Sequence, residues 1–165
     1  MEKPAAAARP EKIPAMQKDE YDALIRRGIL ARIAFSGTEH PYIAPFMYVL
    51  DEHNLYFLST RYGRKMDLFA KNPAVSVEIE EVAPDMSAYR FVTLQGRLAE
   101  VTDTEKMREI RSMFAERIAG KTVSANSLAA LGYRPSDDPG KLVAEERNMV
   151  RKLTAVRDIV AFNES

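Results

Sequence analysis

Leu55-Tyr-Phe-Leu-Ser-Thr-Arg-Tyr-Gly-Arg-Lys-Met-Asp-Leu-Phe69 reads as a β-strand that passes through a short polar turn into a helix. Leu55 and Phe57 fall on one strand face and Tyr56 and Leu58 on the other, the period of a half-buried strand. Met66, Phe69 and Ala70 recur at helical spacing, and Asn72-Pro73 stops the helix. Ser59 and Thr60 bring hydroxyls to the end of the strand, and Gly63 lets backbone approach closely. Arg64 and Lys65 sit where the unpaired N–H groups of a helix start point outward, so the turn suits an anion such as a phosphate. A solvated basic turn is the competing account of a Gly-Arg-Lys triplet taken alone.

The chain around this turn reads as short strands with a few helices. A helix is expected from Lys18 to Arg27, ended by Gly28, with Tyr21, Leu24 and Ile25 inward. Ile29 to Phe35 alternates as a first strand, and a turn over residues 36–40 leads to a second from Tyr42 to Leu50. Pro45 cannot donate to a ladder, which places it at an edge or a bulge. Val75, Val77 and Ile79 oppose Ser76, Glu78 and Glu80 in a fourth strand. Tyr89 to Val101 forms a fifth, with a bulge expected near Gly96. Thr102 and Glu105 suit a capping box before a helix whose buried stripe is Met107, Ile110, Met113, Phe114 and Ile118. Ala125 to Leu131 suits a short helix, residues 134–140 a loop, and Val150 to Phe162 a closing strand. The fold class expected is mainly β (α+β), a six- to seven-stranded antiparallel barrel with two to four peripheral helices.

At 165 residues, 46% hydrophobic and 29% charged, one domain over residues 15–165 is expected behind a flexible tail at 1–14. Lys plus Arg equals Asp plus Glu, so no global field draws the chain to nucleic acid or anionic lipid. No apolar run is long enough to span a membrane, and a cytoplasmic location is the default expectation. The absence of cysteine removes disulfides, thiol nucleophiles and thiolate metal sites. His40 and His53 fall in turns without neighbouring ligands, so no metal site is expected. Ser59 has no evident base, and Glu78, Glu80 and Glu81 read as a solvated face. The chain offers binding surface but few catalytic side chains, which suits a protein whose cofactor performs the chemistry.

Three further stretches complete a pattern: Pro41 to Asp51 with its Pro45-x-x-Tyr48-Val49 core, Lys71-Asn-Pro before the fourth strand, and the Gly96-containing fifth strand. Together with the strand into Gly63-Arg64-Lys65 they resemble the pyridoxamine 5′-phosphate oxidase-like family of FMN-binding split barrels, over about Ile13 to Asp103. Within it the sequence is most similar to the small flavoproteins related to nitroimidazole-resistance reductases. The resemblance implies FMN as cofactor, with Ser59, Arg64 and Lys65 matching its phosphate-binding residues and Leu58, Thr60, Tyr62 and Gly63 completing the cofactor-binding set. Its ring would lie along the backbone of Ala44, Pro45, Phe46, Met47, Tyr48 and Val49. It also implies a homodimer with flavin at the interface and a small-molecule substrate; residues 83–88 are the candidate segment to reach across, with Met86 or Tyr89 near the ring.

The sequence departs from the oxidase where that enzyme carries an arginine and a lysine, here Ala44 and Val49. It has no tryptophan for the oxidase's C-terminal substrate motif, and Leu58 stands where many nitroimidazole-resistance relatives have histidine. An FMN-dependent oxidoreductase acting on a small organic acceptor is therefore the leading expectation. A carrier of FMN, a deazaflavin or haem without turnover is the alternative. An oligonucleotide-binding barrel using Tyr42, Tyr48, Tyr56 and Arg61 is the third.

Overall fold

Six antiparallel strands close into a barrel in the order β1-β2-β3-β6-β5-β4 in the computed structural model, which describes residues 13–37 and 39–164. The elements are α1 (Lys18–Arg27), β1 (Leu30–Phe35), β2 (Tyr42–Leu50), β3 (Leu55–Thr60), α2 (Arg64–Lys71), β4 (Ala74–Val82), β5 (Tyr89–Glu100), α3 (Thr104–Ala119), α4 (Ser127–Ala130), α5 (Lys141–Ala144) and β6 (Asn148–Glu164). Among the described residues five helices therefore surround the barrel, two of them single turns, α4 and α5. The expected tail lies outside the described residues up to residue 12. Its end is docked, because the Pro14 carbonyl accepts from Asn163 N–H at 2.9 Å.

The barrel interior is filled by the inward residues of every strand, among them Ile33, Phe46, Phe57, Val77, Val92 and Leu153. A second apolar cluster lies outside, where Ile110, Phe114 and Ile118 of α3 meet Val49, Tyr56, Leu58 and Val150. β3 is consequently buried on both faces rather than one, from Leu55 to Ser59. The reason is not local: alternation on β3 cannot reveal that α3 will cover its outer side. Full burial of side chains of this size contributes roughly 1.5–3 kcal/mol each, enough to hold a sixteen-residue helix against the sheet.

Two local expectations shift. Helix α3 is capped by Asp103, whose side chain accepts from Lys106 N–H at 2.7 Å, and not by the Thr102 box. An aspartate one residue later supplies the same acceptor and places its charge at the positive end of the helix. The bulge opposite Gly96 exists, but its extra residues belong to β6. Gln95 to Arg97 spans two steps on β5 while Asp158 to Thr154 spans four on β6. β5 therefore keeps Val92, Leu94 and Leu98 on its buried face throughout, and Ala155 takes the unusual φ of 49°. Gly28 ends α1 as expected, though with a negative φ. It is glycine for lack of space, since a Cβ there would lie 2.2 Å from the Tyr48 hydroxyl. That hydroxyl donates to the Ile25 carbonyl at 2.6 Å, and burial pushes its pKa up to about 12.

The barrel is split where β2 changes partner. Residues Tyr42 to Met47 pair with β1, whereas only Tyr48 to Leu50 pair with β3. Leu58 to Thr60 in turn pair with β6 alone. Pro45 thus stands on an open edge, where its missing N–H costs no ladder bond. The gap between these two half-paired segments positions the site.

Candidate anion and ring cleft

A cleft of ≈ 200 Å³ occupies the gap between β2 and β3, walled by Pro45, Phe46, Met47, Leu58, Ser59, Thr60 and Lys65. Seven residues expected in the site therefore come together around one space. Leu30 and three residues of the α4 region, Ser127, Ala130 and Leu131, complete the wall. Those four were not legible beforehand. Leu30 reads as an ordinary strand residue, and α4 reaches the cleft only because α3 carries the chain across the outside of the barrel.

The remaining expected residues surround the cleft without lining it. Ala44 and Tyr48 point into the barrel core, and Val49 is packed beneath α3. Ala44 and Val49 thus supply buried apolar surface where the oxidase carries cations. Tyr62 is exposed in the turn, and Arg64 lies with its guanidinium 5.1 Å from the Tyr42 ring centre. Lys65 extends over Phe46, its Nζ 4.8 Å from the ring centre, an arrangement favoured by the negative face of the ring. Neither cation has a carboxylate partner among the described residues.

The turn between β3 and α2 is built to leave donors free. Thr60 closes it by donating its hydroxyl to the Tyr62 carbonyl at 3.0 Å, and Arg61 ties it to the Glu146 carbonyl at 3.2 Å. No side chain caps α2, so the first-turn N–H groups at Arg64 and Lys65 have no intrahelical acceptor. Gly63 enters the helix at φ 101° and ψ 173°, a region that side chains of L-residues avoid. A Cβ at Gly63 would meet nothing within 4 Å, so the requirement is backbone conformation alone. Gly63→Ala is expected to cost roughly 1–3 kcal/mol of stability, read as a lowered thermal midpoint. An unchanged midpoint would mean that the turn relaxes freely.

Beneath the turn lies a residue that the strand pattern of β6 did not single out. Arg151 is 3% exposed, inside the barrel, with no carboxylate hydrogen-bonded to it among the described residues. Its Nε–H donates to Ser59 Oγ at 3.0 Å, its Nη2 contacts Met66 Sδ at 2.9 Å, and its Cζ sits 3.7 Å from the Phe69 ring centre. A cation in the middle of a β-strand is ordinarily exposed, so its inward placement appears only once the register is known.

Among the described residues no cluster of His, Cys, Asp or Glu could hold a metal ion, and no helix is long and apolar enough to cross a membrane. The histidines lie in exposed turns beside Glu39 and Glu52. What the cleft can do is bind an anion at its Ser59–Lys65 end and a flat apolar body along Pro45, Met47, Leu58 and Leu131.

Comparison with known proteins bears on the family and the fold. The family described as pyridoxamine 5′-phosphate oxidase matches residues 17–147. An uncharacterised protein of Rhizobium meliloti (strain 1021) is 32% identical over 93 residues, which are 56% of this chain and 60% of that protein. A FAD-binding protein of Mesorhizobium loti superposes with a TM-score of 0.68 at 18% identity, covering 93% of this chain and 99% of its own. A putative 5-nitroimidazole antibiotic resistance protein of Bacteroides thetaiotaomicron superposes with a TM-score of 0.61 at 14% identity, covering 96% and 95%. At these identities the two structures share the fold with this chain.

Proposed function

Because the chain belongs to the pyridoxamine 5′-phosphate oxidase family, we propose that its split-barrel cleft binds FMN and that the protein is an FMN-dependent oxidoreductase acting on a small organic acceptor. The observation that carries this reading is the pairing of a donor-rich turn with an apolar slot in one cleft. Ser59, Lys65 and the free N–H groups at the start of α2 suit a phosphate, with Arg64 adding positive potential from above Tyr42. Pro45, Met47, Leu58 and Leu131 suit a ring system, and the open edge of β2 leaves backbone groups free to meet its polar rim.

A bound flavin supplies hydride and electron transfer; the chain's part is to hold, orient and shield it. Among the described residues no histidine or carboxylate lines the cleft, and Lys65 is the titratable side chain in its wall. Pyridoxamine 5′-phosphate oxidation is disfavoured by the buried, uncharged Ala44 and Val49 and by the absence of tryptophan.

A second copy of the chain belongs to the same proposal. The cleft of ≈ 200 Å³ is smaller than the roughly 300–1,000 Å³ of sites that enclose a drug-sized ligand. Leu30 and Ile43, 50% and 63% exposed, stand on the outer face of β1 and β2 next to it. A two-fold contact there would cover both and deepen the slot. The loop at residues 83–88 leaves Met86 exposed, whereas Tyr89 packs on Phe91 of its own barrel, so Met86 is the better candidate to reach across.

The purified chain titrated with FMN is expected to bind with the near-ultraviolet and blue bands of a protein-held flavin. No heat of binding at high micromolar FMN would remove the cofactor assignment. A haem or deazaflavin spectrum from the freshly purified protein would transfer the cleft to that ligand. Turnover of a reduced nicotinamide with an organic acceptor separates an enzyme from a carrier.

A further inference from the structure

A buried arginine without a hydrogen-bonded anionic partner is costly, because its hydration is lost and neutral groups replace it only in part. Arg151 is in that position: among the described residues its Nη1 has no hydrogen-bond partner, and the sulfur atoms at Met66 and Met149 are weak acceptors for its Nη2. Burial lowers its pKa, with Glu100 acting in the opposite direction, yet an arginine remains a cation at any ordinary pH. It faces an interior cavity of ≈ 10 Å³ that shares Ser59, Lys65 and Phe46 with the wall of the cleft. That volume holds about one water molecule, so no ligand anion reaches the guanidinium itself. The charge must act through the wall.

Ser59 is the part of the wall it touches. Since Arg151 Nε–H already donates to Ser59 Oγ, the serine's own hydrogen is left to donate elsewhere. Its neighbour within the chain is Met66 Sδ at 4.0 Å, which a phosphate oxygen would readily displace as acceptor. We propose that Arg151 is a positioning residue that sets Ser59 as a hydrogen-bond donor into the cleft and, with Lys65, makes the anion end select a dianionic phosphate monoester over a phosphodiester or an uncharged ligand. This rests on the flavin reading for the identity of the ligand, FMN rather than FAD or riboflavin, but not for the anion chemistry. The guanidinium, the lysine ammonium and the free α2 amides all favour negative charge, and the described residues place no carboxylate in the cleft wall.

The test compares the wild-type chain with Arg151→Met, of similar volume and apolar, and with Arg151→Lys, which keeps the charge. Removing an unpaired buried charge should leave the thermal midpoint of the ligand-free protein unchanged or raised. FMN affinity of Arg151→Met should fall about tenfold or more while riboflavin affinity is unchanged, with Arg151→Lys intermediate. The phosphate loses its second proton near pH 6, so wild-type FMN affinity should rise from about pH 5 to 7. In Arg151→Met that rise should flatten, which a merely structural role would not produce. In Ser59→Ala the effect of Arg151→Met should largely vanish, since both act on one contact. Equal loss for FMN and riboflavin, or an unflattened pH profile, would overturn the proposal. If the wild-type chain binds neither flavin, the functional reading fails. Thermal stabilisation by millimolar inorganic phosphate that disappears in Arg151→Met would still support the anion role, and no such stabilisation would overturn that as well.

Discussion

Replacing Lys65 with alanine is expected to weaken FMN binding by at least about tenfold while leaving riboflavin affinity nearly unchanged. The two ligands differ by the phosphate, so their ratio isolates the anion end of the cleft from the ring slot. Lys65 is the cation that lines the cleft, held over Phe46 with its ammonium group free of carboxylates. A charge-assisted hydrogen bond contributes about 1.5–3 kcal/mol, and each 1.4 kcal/mol is a factor of ten in affinity. Arg64→Ala should act in the same direction more weakly, because Arg64 lies over Tyr42 outside the cleft wall. Competitive calorimetry with both ligands checks the ordering. Equal weakening for FMN and riboflavin would mean that Lys65 supports Phe46 or the ring instead, and the phosphate assignment would be lost.

The second large effect is expected at the outer face of β2. The wild-type chain should sediment at twice its 18.6 kDa mass at micromolar concentration, with two flavins per dimer. Ile43→Asp should give a monomer that has lost most of its FMN affinity. Ile43 is 63% exposed in one chain, so the substitution costs the monomer's stability about 0.5 kcal/mol or less. At a two-fold interface the same aspartate is buried without a partner, at a cost of roughly 2–5 kcal/mol. FMN affinity follows because a slot closed by two copies opens when they part. A wild-type monomer that binds FMN tightly would refute the shared site. So would an Ile43→Asp dimer with full affinity.

Much of the fold was legible because its elements carry their own instructions. The alternation of Ala31, Ile33 and Phe35 or of Val75, Val77 and Ile79 is a property of a strand with one wet face, whatever lies behind it. The turn that leads from β3 into α2 was legible for the same reason. Ser59 at the end of β3, Gly63 at the N-cap and Lys65 in the first turn of α2 are close in sequence, and free amides at a helix start, a left-handed glycine and a nearby cation are consequences of local geometry.

Local sequence therefore carries the set of strands, the strand–turn–helix that follows β3, and the motif pattern that joins them. Closure of six strands in the order β1-β2-β3-β6-β5-β4 decided the rest. It set β6 against β3 in the register that turns Arg151 inward to Ser59, and it opened the gap between Pro45 and Leu58 by letting β2 and β3 pair over three residues only. It buried β3 on both faces, placed the extra residues of the bulge on β6 rather than β5, and brought Ser127 and Leu131 to a cleft about seventy residues away in sequence. The physical reason is common to all of these. Periodicity and turn chemistry report which side of an element must avoid water, but not which partner will cover it, and that choice is made by long-range packing once the barrel closes.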